Sequence, residues 1–445
     1  MAIPLLLMLT SGQVRQSIVR IAWSSRHMAT SQSIASHANT FSQSTASASR
    51  SSSFFVGRAF CALAIFAALL ASTTPSPLYS VYISEWGLPQ SAGTTIFSVY
   101  AVGTLISLFL AGRLDRLVTD RRQILLPALL ITATGAILFA LADQVWMLLV
   151  GRFLSGISTG LITSTASTAL FDLDSEDKRG RAATVSTIAF TGGAAAGPCL
   201  SSAALATNAA PLVTPFLCIA AVAAFAFLGL TLAPWPKGKR ASNTPARDAR
   251  ASLDDRERAR FLRLACLSVA VAWMLGSILM ATAVSLATDL FHLNIHALAG
   301  LLPAIFQLFA GIGQMMSGRI RPLTAIVIGC GTLAALQAMT LVGALASVSA
   351  IFILAMPLCG LFYGAAFVGG AALVNQTAAP GTHASQIAKF YVVGYLSNAI
   401  PTFAFGFLID GLGLSTAFTI FSLVLIALAL LTSATAARRR SQLPA

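Results

Sequence analysis

Long apolar runs alternate with short polar segments along most of the chain. A helix must supply about 20 apolar residues to cross the roughly 30 Å hydrocarbon core of a bilayer, because its backbone groups can hydrogen-bond only within the segment. Counted in this way, the pattern predicts twelve transmembrane helices. Their expected bounds are 58–80, 91–112, 123–142, 146–171, 182–206, 211–233, 262–288, 296–317, 323–344, 348–377, 386–409 and 414–436.

The longest polar stretch inside the apolar region separates the predicted helices into two sets of six. We expect an N-terminal bundle at 54–233, a cytoplasmic linker at 234–261, a C-terminal bundle at 262–436 and a cytoplasmic tail at 437–445. The segment after helix 2, "AGRLDRLVTDRRQ", recurs weakly after helix 8 as "SGRIRPLTA". Such an internal echo between two halves is typical of duplicated transporter folds.

Residues 1–53 precede the first apolar run, are rich in Ser, Thr and Ala, and contain four Arg but no acidic residue. We expect a disordered cytoplasmic extension or a start assigned too far upstream. A targeting segment is the alternative, because the composition resembles that of a transit peptide. No chemistry is expected from these residues.

Composition and charge distribution place most of the chain in lipid. With 56% hydrophobic residues and a mean hydropathy of +0.81, the sequence is more apolar than the roughly 45–50% typical of soluble proteins. The net charge of +14 would suggest a nucleic-acid partner if it covered one face of a soluble fold. Instead, the Lys and Arg residues cluster before helix 1, in the even-numbered loops and after helix 12. This positive-inside pattern predicts an integral membrane protein with both termini in the cytoplasm and no nucleic-acid partner.

Three short stretches in the first half carry unusual residues in a basic loop or at membrane depth. They are "GRLDRLVTDRRQ" at 112–123, "GRFLSGISTG" at 151–160 and "GGAAAGPCLSS" at 192–202. Together with the two sets of six helices, they resemble the Major Facilitator Superfamily in its twelve-helix drug or sugar efflux type. The resemblance covers roughly residues 55–436 and implies an all-α membrane fold of two pseudo-symmetric six-helix bundles.

The first stretch is similar to a cytoplasmic loop pattern of that family. The matching residues are Gly112, Asp115, Arg116, Arg121 and Arg122, although one residue fewer separates the glycine from the aspartate and the pattern's second glycine is missing. The resemblance implies a gate in which Asp115 pairs with basic groups or a helix N-terminus across the bundle interface, and the pair breaks when the inner side opens. The alternative is that these charges only set the topology.

Arg152 lies about seven residues, or roughly 10 Å, inside the outer boundary of helix 4. An arginine at this depth is costly and is normally paired or faces a water-filled cavity. The resemblance implies that Arg152 acts in proton coupling or organises a polar network, while Gly156 allows close helix contact. The alternative is that the side chain extends outward to the lipid headgroups.

The third stretch is similar to an antiporter-associated pattern in helix 5. Gly193 and Gly197 present a smooth face, and Pro198 removes a backbone hydrogen bond so that the helix can bend there. The terminal Gly-Gly of the pattern is replaced by Ser201 and Ser202. The resemblance implies a hinge in an antiporter, and simple helix packing is the alternative.

Further polar and aromatic residues at membrane depth are candidates for contact with a substrate. Pro75 and Pro77 are expected to break helix 1 near two tyrosines, and helices 8, 10 and 11 add amides and further tyrosines. A mixture of aromatic rings and amides suits moderately amphipathic molecules. Hydrogen bonds between helices and anchoring at the membrane interface are the alternatives. The candidates are Tyr79, Tyr82, Gln307, Tyr363, Asn375, Gln376, Tyr395 and Asn398.

The function expected from these features is secondary active transport of a small organic solute by alternating access. The helix 5 pattern favours a proton-coupled efflux antiporter. A uniporter, a proton symporter that imports sugars or metabolites, and a non-transporting receptor or scaffold are the alternatives. The sequence has no GxxxxGK[ST] phosphate loop, so we expect an ion gradient rather than ATP to supply the energy. No Asp or Glu lies in the middle of a predicted helix, which counts against a carboxylate proton carrier.

Catalytic and metal sites are not expected. No constellation of His, Cys and carboxylates stands out, and the six cysteines lie in apolar runs without a CxxC pair. We therefore expect neither enzyme activity nor a bound cofactor or metal. The expected protein is a monomer in a bacterial inner membrane, with the lipid bilayer and a small-molecule substrate as its partners.

Overall fold

A computed structural model of the chain describes residues 54–174, 179–208, 210–235, 254–293, 296–379 and 382–440. Within these ranges, the side chains of a few residues also lie outside the description, namely 115, 116, 179, 180, 296–299 and 384. The expectations for residues 1–53, for most of the linker and for the end of the tail therefore fall outside the described residues.

The described part of the chain is helical throughout and has no strand, and it contains twelve helices long and apolar enough to cross a membrane. The prediction of twelve transmembrane helices is thus confirmed. They are α1 (Phe55–Trp86), α2 (Gln90–Leu117), α3 (Arg122–Ala140), α4 (Val145–Asp172), α5 (Arg179–Thr207), α6 (Thr214–Leu232), α7 (Asp255–Leu290), α8 (His296–Ser317), α9 (Pro322–Leu345), α10 (Ser349–Thr377), α11 (His383–Leu412) and α12 (Leu414–Ala437).

The largest difference from the expected bounds is at the start of α7. This helix begins at Asp255, whereas the apolar pattern placed its start at residue 262. Asp255 and Glu257 lie in the first turn, where carboxylates interact favourably with the positive end of the helix dipole. The charged sequence "DRERAR" therefore extends the helix beyond its apolar part.

Helix α1 is interrupted, as the two prolines predict. A first α-helical part ends at Thr73, a short 3₁₀ turn covers Ser76–Leu78, and a second α-helical part covers Tyr79–Trp86. Proline cannot donate a backbone hydrogen bond, and it also disfavours helical geometry in the residue before it. The break leaves carbonyl groups in the last turn of the first part without partners in their own helix.

Helix pairs in the first half recur six helices later in the second half. The packing of α2 on α4 is repeated by α8 on α10, that of α3 on α4 by α9 on α10, and that of α3 on α6 by α9 on α12. Glycines allow the closest approach at equivalent places. A Cβ atom at Gly156 would collide with the carbonyl oxygen of Tyr100, and one at Gly360 would collide with that of Phe306.

Two helix pairs provide most of the contact between the halves, α2 with α11 and α5 with α8, and the middle of the molecule adds smaller contacts of α7 with α1 and α2. We call the end of the molecule that carries the α2–α3 and α4–α5 loops the basic end, and the other end the opposite end. At the opposite end, the Asp410 carboxylate in α11 accepts hydrogen bonds from the backbone N–H groups of Gln90 and Ser91 at 2.8 and 3.0 Å. Two turns further in, the Ser98 hydroxyl donates to the carbonyl oxygen of Ala399 at 3.1 Å. The halves are therefore closed against each other at the opposite end.

Candidate solute-binding site

A cavity of about 130 Å³ lies at mid-length of the helices, between the two halves. Helices α1, α2, α4 and α5 line one side of it, and α7, α8, α10 and α11 line the other. Its polar lining consists of hydroxyls, amides and one guanidinium, and rings make up most of the remainder. The polar residues are Ser72, Thr73, Arg152, Ser277, Gln307, Gln314 and Asn398, and the aromatic residues are Phe97, Tyr100, Phe190, Trp273, Phe306, Tyr363 and Tyr395.

Arg152 projects from α4 into this cavity and is only 1% exposed. Its Nη1 atom donates a hydrogen bond to the carbonyl oxygen of Ser72, in the last turn before the break in α1. The guanidinium carbon lies 5.2 Å from the ring centroid of Phe97 and 4.7 Å from that of Tyr100. A helix C-terminus carries partial negative charge and an aromatic face attracts a cation, so these contacts fix the guanidinium in place.

None of the described carboxylates compensates the charge of Arg152. Among the described side chains that line the cavity, it is the only charged one, and they include neither an acid nor a histidine. The Nε atom is buried and has no hydrogen-bond partner within the described residues. The Tyr79 hydroxyl lies close enough to Arg152 for an electrostatic interaction. Like Nε, it has no well-aligned hydrogen-bond partner within the described residues.

An aromatic cluster forms the wall contributed by the second half. The ring of Trp273 in α7 meets Tyr395 edge to face at a centroid distance of 4.7 Å and stacks on Phe367 at 5.9 Å. Phe306 and Tyr363 form a second edge-to-face pair at 5.2 Å. Edge-to-face rings restrict one another, so this wall presents a preformed apolar surface to a solute.

Polar groups of the second half face the same space. The Thr402 hydroxyl donates to the Ser277 hydroxyl at 2.7 Å, linking α11 to α7. The Asn398 Oδ1 atom is buried without a hydrogen-bond partner within the described residues. A buried amide oxygen with no partner is an available acceptor for a bound molecule or for water.

Five of the residues singled out from the sequence come together in the cavity lining: Arg152, Gln307, Tyr363, Tyr395 and Asn398. The interpretation that Arg152 extends to the headgroups is wrong for this structure, because the side chain is buried between helices. Its apolar surroundings, the helix break in α1 and the rings of α2 hold it inward.

The other four substrate candidates lie outside the lining. Tyr79 and Tyr82 are 2% and 1% exposed and pack in the core, where they meet Phe97 and Trp86 edge to face. Asn375 and Gln376 are exposed near the basic end of α10. The Asn375 amide donates to the Ala371 carbonyl oxygen at 3.0 Å. Polar residues in the last turn of a membrane helix can be hydrated at the membrane surface, so Asn375 and Gln376 need not face the cavity.

The proposed hinge in α5 packs closely against α1. Cβ atoms at Gly193 and Gly197 would collide with the Phe66 carbonyl oxygen and the Thr73 hydroxyl. Pro198 lies within the continuous helix. The Ser201 hydroxyl donates to the Thr74 carbonyl oxygen at 2.6 Å. The small residues therefore join α5 to the broken part of α1, and bending at Pro198 stays a prediction.

In the loop between α2 and α3, the side chains of Asp115 and Arg116 lie outside the described residues, and the predicted gate pair therefore stays a prediction. Gly112 is exposed in the last turns of α2. The Nε atom of Arg121 forms an ion pair of 2.6 Å with the Asp172 carboxylate at the end of α4.

Three further basic residues of the first half form ion pairs within that half. Arg122 pairs with Asp120 at 2.8 Å and lies over the Trp235 ring at 5.3 Å. Asp174 pairs with Arg58 at 2.9 Å and with Arg181 at 3.0 Å. These described ion pairs connect the ends of α1, α3, α4 and α5 and do not bridge to the second half.

Sequence reasoning missed Trp273, Phe97 and Tyr100, which are central to the cavity. Each lies in an apolar run, where an aromatic residue is equally suited to core packing or to lipid.

Comparison with known proteins agrees with this architecture. The family model for the Major Facilitator Superfamily matches residues 61–402. A search of curated proteins found no match. The fold and the central cavity between its halves define a multi-pass helical membrane protein of the transporter class. The chain belongs to the Major Facilitator Superfamily, and its all-α fold of two pseudo-symmetric six-helix bundles follows.

Solved structures of transporters share this fold at low sequence identity. A bacterial homolog of the human lysosomal transporter Spinster, in an inward-facing and occupied conformation, is 13% identical and has a TM-score of 0.66, with 85% of this chain and 96% of that chain covered. The nucleoside transporter NupG is 14% identical with a TM-score of 0.66, covering 84% and 98%. A POT family transporter in complex with 5-aminolevulinic acid is 14% identical with a TM-score of 0.69, covering 84% and 95%.

Proposed function

We propose that the protein is a secondary transporter that moves a small organic solute across a membrane by alternating access. The observation that carries this proposal is the cavity between the two halves, which combines a buried cation, amides and rings at mid-length of the helices. The hydrogen bonds of Asp410 close the opposite end in this conformation. Rocking of the halves about the cavity would exchange its access between the two ends.

The finer proposal is an efflux antiporter driven by a proton gradient or another ion gradient. It is supported by the small-residue pattern of α5 and by the packing of Gly193 and Gly197 on α1. The described lining of the cavity contains no carboxylate or imidazole that could carry the coupled proton. A coupled proton must therefore bind outside the described lining or travel with the solute.

A proton symporter that imports the solute would need the same proton site as the antiporter, so the second candidate is a facilitator. The observation that favours it is the composition of the cavity wall, which has no carboxylate or imidazole among its described side chains. In a facilitator, Arg152 would serve binding alone.

Proteoliposomes that contain a pH-sensitive dye test both candidates. A panel of anionic, neutral and cationic organic solutes is added under an imposed proton gradient, to the wild type and to Arg152→Ala. Solute-triggered proton flux that requires Arg152 supports the antiporter, and solute movement without proton flux supports the facilitator. Gln376→Ala is the matched control, because that residue is exposed outside the cavity and should leave both fluxes unchanged. Absence of any solute movement in the wild type would contradict transport.

The proposed setting is a bacterial inner membrane, with the basic end and both termini in the cytoplasm and the protein acting as a monomer. It is supported by the positive-inside distribution of Lys and Arg. Labelling with a membrane-impermeant maleimide in whole cells tests the orientation, in a background in which the six cysteines are replaced. We expect Ser84→Cys to be labelled from outside and Arg440→Cys to be protected; the reverse result would contradict this orientation.

A further inference from the structure

We propose that Arg152 is the binding site for the negatively charged group of the solute, and that the solute is a small organic anion with an apolar, ring-sized body. This inference rests on the proposed transport function and names the substrate class of the same cavity. It differs from a role of Arg152 in proton coupling, because it assigns the guanidinium to the solute itself.

The first argument is the missing counter-charge. Burying a charge away from water is costly unless an opposite charge and hydrogen bonds compensate for it. Arg152 is 1% exposed, and no ion pair joins it to a described carboxylate. Its partners are one carbonyl oxygen, two ring faces and the neutral Tyr79 hydroxyl, which stabilise a cation but do not neutralise it. A bound anion would supply the missing charge.

The second argument is the unused hydrogen-bonding capacity of the guanidinium. Nη1 donates a hydrogen bond to the Ser72 carbonyl oxygen, the neutral Tyr79 hydroxyl lies close enough to interact with the guanidinium, and Nε is buried without a hydrogen-bond partner within the described residues. Nε and Nη2 form one edge of the planar guanidinium, the edge that binds a carboxylate through two parallel hydrogen bonds. The contacts with Ser72, Phe97 and Tyr100 hold the group in place without using this edge fully. The guanidinium therefore keeps donor capacity for which the described residues supply no charged acceptor.

The third argument concerns the rest of the solute. Trp273, Phe306, Tyr363 and Tyr395 form an aromatic wall on the side of the cavity supplied by the second half. The cavity volume of about 130 Å³ is close to that of an apolar protein cavity of about 150 Å³ that binds benzene. A single aromatic or aliphatic ring therefore fits between these rings and the arginine. Asn398, with its unpartnered Oδ1, offers an acceptor for a hydroxyl or amine on that body.

The same features discriminate against cations. No described lining residue carries a negative charge, so a cationic solute would meet Arg152 without any compensating group. Like charges in a low-dielectric site repel strongly. A neutral isostere of the anion would fit the aromatic wall but would leave the guanidinium without a counter-charge. Binding should therefore rank carboxylate above amide, and amide above ammonium.

The test uses the purified full-length protein and ligands that share an aromatic ring and differ in the charge of its polar substituent. Benzoate, benzamide and benzylamine, and the corresponding naphthalene compounds, are added while thermal unfolding is followed, and affinities are measured by isothermal titration. We expect the carboxylates to raise the unfolding temperature and to bind about tenfold to hundredfold more tightly than the amides, as a charge-assisted pair predicts. Equal or tighter binding of the amides or amines, or failure of every carboxylate to bind, overturns the proposal.

Variants extend the test beyond the wild type. Arg152→Gln should reduce carboxylate affinity to that of the amide, and Arg152→Lys should restore part of it, because lysine keeps the charge but lacks the planar edge. Gln376→Ala should bind like the wild type. If Arg152→Gln does not fold, the comparison of carboxylate with amide on the wild type still decides the question.

Counterflow of labelled benzoate in proteoliposomes separates this inference from the proposed function. Carboxylate binding that depends on Arg152, without movement of any solute, would support the anion site and contradict transport. Movement of neutral or cationic solutes, with no carboxylate binding, would support transport and overturn the anion site. Binding and counterflow of the carboxylate together support both.

Discussion

At the scale of single residues, glycines set how closely the helices approach around the cavity. Gly156 lies one turn after Arg152 in α4 and faces the backbone of α2, where Tyr100 is located. Because Tyr100 also stacks on the guanidinium, the close approach of these two helices fixes the position of the cation. The glycine therefore acts on the site through packing rather than through chemistry of its own.

Gly156→Ala should destabilise the protein, although alanine is the better helix former by about 1 kcal/mol. The added Cβ would collide with the carbonyl oxygen of Tyr100, and overpacking of this kind typically costs about 1–3 kcal/mol. The measurement is the thermal unfolding temperature of the purified protein.

Gly112→Ala is the matched control for that substitution. Gly112 also lies within a helix, but no neighbouring atom of the described residues lies within 4 Å of the position its Cβ would take. Its unfolding temperature should stay the same or rise slightly. If both variants behaved alike, backbone propensity rather than helix contact would explain the role of Gly156.

At the scale of helices, Asp410 does at the opposite end what Asp115 was expected to do at the basic end. Its carboxylate accepts from the first two N–H groups of α2, which have no acceptor within their own helix. Asp410 belongs to α11, so this cap joins one half to the other. The contact can exist only while the opposite end is closed.

Asp410→Ala should therefore shift the protein towards the conformation that is open at the opposite end. Loss of a helix cap costs about 1 kcal/mol, which corresponds to roughly a fivefold change in the equilibrium. The measurement is the rate at which an impermeant maleimide, added from the opposite side, labels Ser98→Cys in a cysteine-free background.

Asp143→Ala provides the comparison, because Asp143 is an exposed acid at the same end. It should leave the labelling rate unchanged. Equal rates in the Asp410 and Asp143 variants would show that the cap does not hold this end closed.

At the scale of the whole molecule, the sequence predicted the architecture better than the site. Lipid imposes one strong condition, continuous apolar helices, and the sequence shows twelve such runs. For helix 8 the predicted bounds, 296–317, agree with those of α8 in the structure. The depth of Arg152 followed from the same count. The count does not show in which direction a side chain points within an apolar run. Trp273 was therefore missed, and Tyr79 and Tyr82 were assigned to the cavity instead of the core. Those positions depend on how helices from the two halves pack, which a single run does not encode.

Alternating access requires the two halves to separate at the opposite end once in each transport cycle. Ser202 in α5 and Gly300 in α8 are suited to test it, because a Cβ atom at Gly300 would lie 3.5 Å from that of Ser202. This separation is within the usual range for a disulfide, about 3.5–4.5 Å. Ser202→Cys together with Gly300→Cys, in a cysteine-free background, should form a disulfide between the halves on oxidation.

Oxidation of that double variant should abolish solute movement in proteoliposomes, and a reducing agent should restore it. The physical reason is that a covalent bond between α5 and α8 holds the opposite end closed, so the cavity can communicate with one side only. Each single cysteine variant, treated in the same way, should keep its activity and so controls for oxidation as such. Full crosslinking with undiminished transport would mean that the two halves do not separate at this end, and a pathway other than rocking of the bundles would be required.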